Sequence, residues 1–180
     1  MTDANPSLAA HLLASSILTF KSMKKLGDGA LRQLDDAGIR WTPAPESNSV
    51  AVIVKHVAGN MASRWTDFLA TDGEKPDRNR DEEFMEDAEG HADIVAQWER
   101  GWAILFGALE SLAPEDVHGT VTIRGEAHSV VEAIHRQISH YGGHVGQIVY
   151  AAKAYRADGW ETLSIPRGQS QTFNDGMKKP

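Results

Sequence analysis

The stretch SVVEAIHRQISHYGGHVGQIVYAAKAY, residues 129–155, decides the architecture. Ser129 with Glu132 three residues later has the form of a capping box, in which hydroxyl and carboxylate each close a free N–H at a helix start. Behind it Ile134, Ile138, Tyr141, Val145, Ile148, Ala152 and Tyr155 alternate steps of four and three. That spacing keeps one apolar stripe along one side of a helix, the seam by which helices join a bundle. Asp158-Gly159 supplies the stop.

Three similar patterns precede it. The first opens at Asn5-Pro6, a helix N-cap followed by proline at the first helical position. It runs through Leu8, Leu12, Phe20, Met23, Leu31 and Leu34 to a stop near Gly38, with Gly27 and Gly29 as weak points. The second starts around residues 47–49 and aligns Val50, Val54, Val57, Met61, Trp65 and Phe68. The third carries Ile94, Trp98, Trp102, Leu105, Leu109 and Leu112 and ends before Pro114. Residues 71–90 form a polar, highly charged crossover, and Thr120-Val121-Thr122-Ile123-Arg124 alternates like a short strand. The expected fold is all-α: a four-helix bundle with long crossover connections, a strand-like segment before the fourth helix, and an extended C-terminal tail. At 180 residues a single domain, 1–180, is expected, with a core over about 5–158 and the tail over 159–180.

Zero cysteines and eight histidines limit the chemistry. No thiolate cage, iron–sulfur cluster or cysteine nucleophile is possible, so any metal must be held by imidazole, carboxylate or carbonyl groups. A net charge of −7 argues against nucleic acid or an anionic membrane as main partner. Met1-Thr2-Asp3 carries an acid where a signal peptide needs basic residues, and the longest apolar stretch, Trp102 to Leu109, is far below the ~20 residues of a membrane helix. A cytoplasmic location is expected.

His140 and His144 lie four apart on the fourth helix, so their rings project from one face, as a shared divalent metal requires. Chance places two histidines at this spacing in many helices, and that alternative stands beside the metal. The pair is not the zinc-protease motif, because Tyr141 occupies the slot of its glutamate base. With no built-in base to activate water, a metal here would favour a nucleophile brought by the substrate. His56, on the edge of the second helix's apolar stripe, is the best third ligand; its alternative is a hydrogen-bonded histidine at the core edge. The row His56, Asn60, Arg64 and the row Arg136, His140, His144 each step by four and would face one another in a bundle. Arg64 and Arg136 would then hold a substrate carboxylate or form salt bridges, and Asn60 would orient a ligand. His11, His91, His118, His128 and His135 read as surface or capping residues. Asp81-Glu82-Glu83 reads as a solvated charge run, and Trp65, Trp98 and Trp102 as core.

His56-Val57-Ala58-Gly59-Asn60 with Ser63-Arg64-Trp65, Asp72-Gly73-Glu74-Lys75-Pro76, Arg78-Asn79-Arg80-Asp81, Ile123-Arg124-Gly125-Glu126, Arg136 to Tyr141, His144 to Ile148 and Leu163 to Ser170 form an ordered series. This series resembles the DinB/YfiT-like superfamily, and more narrowly one of its uncharacterised bacterial families. The resemblance implies a four-helix bundle, often a homodimer, with one metal ligand from the second helix and two from an HxxxH on the last, matching His56, His140 and His144. It further implies a divalent ion, zinc or nickel, and a small-molecule substrate. For some members it implies transferase or isomerase activity with a low-molecular-weight thiol as cosubstrate. Metal-assisted hydrolysis with Glu126 or Glu132 as base, and a metal-binding stress or sensor protein without turnover, are the alternatives.

Overall fold

The computed structural model describes residues 7–86 and 89–177. Among these it contains six α-helices and one two-stranded hairpin: α1 (Leu8–Leu31), α2 (Asp36–Arg40), α3 (Val50–Trp65), α4 (His91–Ser111), β1 (Thr120–Ile123), β2 (Glu126–Ser129), α5 (Val130–Arg156) and α6 (Ser170–Met177). The four long helices pack in a closed order, α1 against α5, α5 against α3, α3 against α4 and α4 against α1. Each gives one ring to a shared aromatic centre. Phe20 of α1 lies 6.1 Å from Trp65 of α3, 6.3 Å from Trp102 of α4 and 6.1 Å from Tyr141 of α5. The two tryptophan contacts are edge-on, the arrangement that sets a ring's positive edge against a negative face. Trp98 is also fully buried, so all three tryptophans expected in the core are there.

The helix caps follow the sequence closely. Ser129 and Glu132 form the capping box of α5, with Ser129 N–H donating to Glu132 Oε2 at 2.8 Å. Ser49 caps α3 by accepting from Val52 N–H at 3.2 Å. The fourth pattern stops slightly earlier than expected, at Arg156, where Ala157 takes a positive φ of 46°.

Two expectations need correction. The first pattern is not one helix to Gly38: α1 ends at Leu31, and α2 follows after Asp35, whose carboxylate accepts from Gly38 N–H at 2.7 Å. An aspartate that can cap offers the backbone an alternative to continuing the helix. The expected cap at Asn5-Pro6 lies outside the described residues; Ser7 caps α1 by accepting from Ala10 N–H at 3.2 Å. Gly27 and Gly29 stay helical because they are packing contacts, a Cβ on either colliding with Trp98 or Leu163. The strand-like segment is β1, as expected, and it pairs antiparallel with β2 from Thr120↔Ser129 to Ile123↔Glu126. The tail is not wholly extended: after Gly168, at φ 76°, it forms α6, with Phe173 N–H donating to Gln169 O at 2.9 Å. No helix among the described residues is long and apolar enough to cross a membrane.

Candidate metal centre

His56 on α3 and His140 and His144 on α5 meet, with one ring nitrogen from each lying within 4.8 Å of the others. His140 Nε2 stands 3.3 Å from His56 Nε2 and 3.1 Å from His144 Nε2. Two imidazole nitrogens ~2.1 Å from one ion are ~3.0 to ~3.4 Å apart for cis-octahedral to tetrahedral angles. Both observed separations fall inside that interval.

The other ring nitrogens explain how the rings are oriented. His56 Nδ1 faces Glu83 Oε2 at 2.9 Å, His140 Nδ1 faces the Gln137 side-chain oxygen at 3.3 Å, and His144 Nδ1 faces that of Gln147 at 2.8 Å. An oxygen acceptor beside Nδ1 places the proton there, leaving a bare lone pair on each Nε2. Three lone pairs converging on one point repel unless a cation lies between them. Burial, with His144 and His56 nearby, holds His140 down to about 4, and burial also lowers His144. These two are therefore neutral at neutral pH, the form that binds metal.

Glu83 is the principal correction to the sequence reading. It comes from the charge run expected to be solvated, yet its side chain is only 10% exposed. It lies within a short 3-10 turn, Glu82–Phe84, and receives two bonds from Arg78, Nε at 2.8 Å and one terminal nitrogen at 2.8 Å. Burial works to raise its pKa, but the hydrogen bonds from His56 and Arg78 outweigh this and hold it below the usual carboxylate range. A charged carboxylate on the outer nitrogen of a ligand histidine fixes the tautomer and raises ligand basicity. Gly59, one turn along α3 from His56, leaves the space for it: a Cβ there would collide with Glu83 Oε1.

The rest of the expected row is also close by. Asn60, Arg64 and Arg136 line one cavity of about 430 Å³ together with His56 and His140. Asn60 is buried and its Oδ1 accepts from Tyr141 O–H at 2.9 Å, while Trp65 Nε1 donates to that hydroxyl oxygen at 3.1 Å. Arg64, also buried, takes the salt-bridge alternative, binding Glu74 Oε2 at 3.0 Å and the Gly73 carbonyl. Arg136 is exposed and lies at the rim. Glu132 is committed to the helix cap and Glu126 is exposed on β2; neither lines the cavity. Of the remaining histidines, His11, His118 and His135 are exposed, His91 bonds Leu31 O at 2.9 Å, and His128 is half-buried on β2.

The sequence reading missed Glu83, Gln137 and Gln147 as partners of the triad, and Arg78, Arg80 and Arg124 on the cavity wall. The usable signal was the series Arg78-Asn79-Arg80-Asp81 and Arg124-Gly125, polar residues of loops and turns that carried the resemblance. On the far side of the triad, Gln147 borders a more apolar cleft of about 380 Å³ that includes Trp41, Ile53 and Tyr150.

A family model described as "Protein of unknown function (DUF1572)" matches residues 7–169. No curated protein and no solved structure matches the chain.

Proposed function

The chain belongs to the DUF1572 family of proteins of unknown function, and we propose that it is a DinB/YfiT-like four-helix-bundle protein binding one divalent ion through His56, His140 and His144. The convergence of three proton-free Nε2 atoms, each set by an oxygen on its Nδ1, carries this reading. A bound divalent ion, zinc or nickel as the resemblance implies, would supply Lewis acidity and lower the pKa of a coordinated thiol or water.

The protein's own residues then hold and shield the reacting groups. Three histidines leave ligand positions open, as in catalytic rather than structural sites. Glu83 keeps His56 in the ligating tautomer, and Arg78 keeps Glu83 ionised. Both Glu83 oxygens are occupied, so Glu83 is not a free base for water. Asn60 is fixed by Tyr141 at the cavity wall and orients a ligand there. These features favour transfer or rearrangement of a thiol adduct, with the thiol brought by a low-molecular-weight cosubstrate, over hydrolysis. The protein acts as a homodimeric, single-domain cytoplasmic enzyme in this reading.

Protein prepared without nickel resin should carry about one divalent ion per chain by mass spectrometry of the metal, and replacing all three histidines by alanine should remove it. Unchanged metal content in that variant overturns the centre. Consumption of thiol with electrophiles such as maleyl or epoxide compounds, dependent on the ion, separates transfer from ester or amide hydrolysis. Light scattering reporting a 19.7 kDa particle would overturn the dimer.

A further inference from the structure

The cavity beside the triad is lined by five arginines, Arg64, Arg78, Arg80, Arg124 and Arg136. The chain as a whole carries a net charge of −7, so this concentration is not a general property of its surface. Two of the five are neutralised inside the protein. Arg78 is bound by Glu83 and Glu74, and Arg64 by Glu74 and the Gly73 carbonyl. The other three differ. Among the described residues, Arg80 and Arg136 have no carboxylate within ion-pair distance, Arg80 resting instead over the Phe84 ring at 4.9 Å. Arg124 bonds Glu74 through Nε alone, at 3.0 Å. Five guanidinium groups against three carboxylates, Glu74, Glu83 and the Asp72 that holds the Arg124 backbone, leave a local excess of two positive charges in a concave site, where the field is focused.

Backbone geometry makes the placement of Arg124 costly. It sits at φ 55° and Gly125 at φ 76°, so both central residues of the β1–β2 turn have positive φ. Such turns favour Asn-Gly, because a side chain with a Cβ is strained there. The strain is held by Asp72, whose two carboxylate oxygens accept from Arg124 N–H and Gly125 N–H, each at 2.8 Å. Gly73 N–H donates to Thr122 O at 2.7 Å in the same latch. A strained residue kept by a dedicated latch at a cavity rim points to a role for its side chain.

We propose that Arg80, Arg124 and Arg136 form an anion clasp beside the histidine triad, which takes a small-molecule substrate by an end carrying at least two negative charges, a phosphate or a pair of carboxylates. Forked guanidinium groups suit both, each offering two parallel N–H donors. The neutral, reacting end of that molecule then lies toward His56 and His140. Only this last orientation rests on the metal reading; the clasp itself does not.

Calorimetric titration of metal-free protein at low salt, with inorganic phosphate, tricarballylate, succinate and acetate, tests the clasp. Phosphate or one of the polycarboxylates should bind at least about tenfold more tightly than acetate and weaken as salt is added. Which arm binds identifies the anion. R136Q should lose about tenfold in affinity for the bound anion, the equivalent of one charge-assisted pair. Its side chain is exposed and makes no hydrogen bond among the described residues, so folding is not at stake, and circular dichroism checks this. R124N, which suits a positive φ, should fold and also lose affinity. The double variant H140A/H144A should lose metal and keep anion affinity, so failure of the metal centre and failure of the clasp give different results. Acetate binding as tightly as the polyanions, or R136Q and R124N both binding like the wild type, overturns the proposal.

Discussion

Replacing Glu83 by glutamine changes almost no shape but removes the charge that orients His56. The carboxylate accepts three bonds, from His56 Nδ1 at 2.9 Å and from Arg78 Nε and a terminal nitrogen at 2.8 Å each. Glutamine offers one oxygen and one NH2. If the oxygen stays with Arg78, the NH2 meets the proton on His56 Nδ1; the ring then moves that proton to Nε2, where it blocks the metal position. If the oxygen faces His56, the NH2 abuts the Arg78 guanidinium. Either way the ligating tautomer loses support, and partners of this kind are worth 10–100-fold in metal affinity, about 1.4–2.7 kcal/mol. Zinc affinity measured against a chromophoric chelator gives the loss. Glu74→Gln is the control, since it removes one charge from the same arginine cluster but does not touch His56. An E83Q protein within about twofold of the wild type, or an E74Q protein losing as much as E83Q, would refute the role given to Glu83.

Gly59→Ala should weaken zinc binding by displacing Glu83 and should also lower thermal stability, since disturbing a buried carboxylate–arginine pair costs more than the about 0.5–1 kcal/mol that alanine gains over glycine in a helix interior; unchanged zinc affinity would contradict this. Tyr141→Phe leaves Trp65 Nε1 and Asn60 Oδ1 buried without their partner and should cost about 1–3 kcal/mol in urea unfolding. A cost below about 0.5 kcal/mol would mean the hydroxyl is not structural. In metal-free protein His140 is held down to about 4 by burial and its neighbouring histidines, whereas an unfolded imidazole titrates near 6.5. The unfolded chain therefore binds protons first as pH falls, so stability is full above about 6.5 and declines from there toward about 4. A melting temperature flat across that window would show that the triad is not buried as described.

The core and the triad were legible because both are written at helical spacing. An apolar residue every three or four positions records which side of a helix leaves water, and the seam through Tyr141, the cap at Ser129 and the borders carrying His56, His140 and His144 all follow from that partition. His56 was identifiable because it stands on the edge of a buried stripe. Glu83 and Arg78 were not, since a charged residue in a polar loop has the same local sequence whether it faces solvent or is folded back over a site. The same holds for β2, which needs β1 to exist as a strand.

The sequence by itself determined the four long helices, their buried faces and the three histidines that meet between them, through interactions between each residue and water or its near neighbours in the chain. Only the tertiary structure decided which charges are spent and which are free. The closed packing of α1, α4, α3 and α5 brings the 71–86 crossover and the β1–β2 turn to the same end of the site. There Glu83 orients a histidine, Glu74 and Asp72 hold Arg64, Arg78 and Arg124 in place, and among the described residues Arg80 and Arg136 are left without a carboxylate. Pairing between charges from distant loops depends on distances across space, and no spacing along the chain records those.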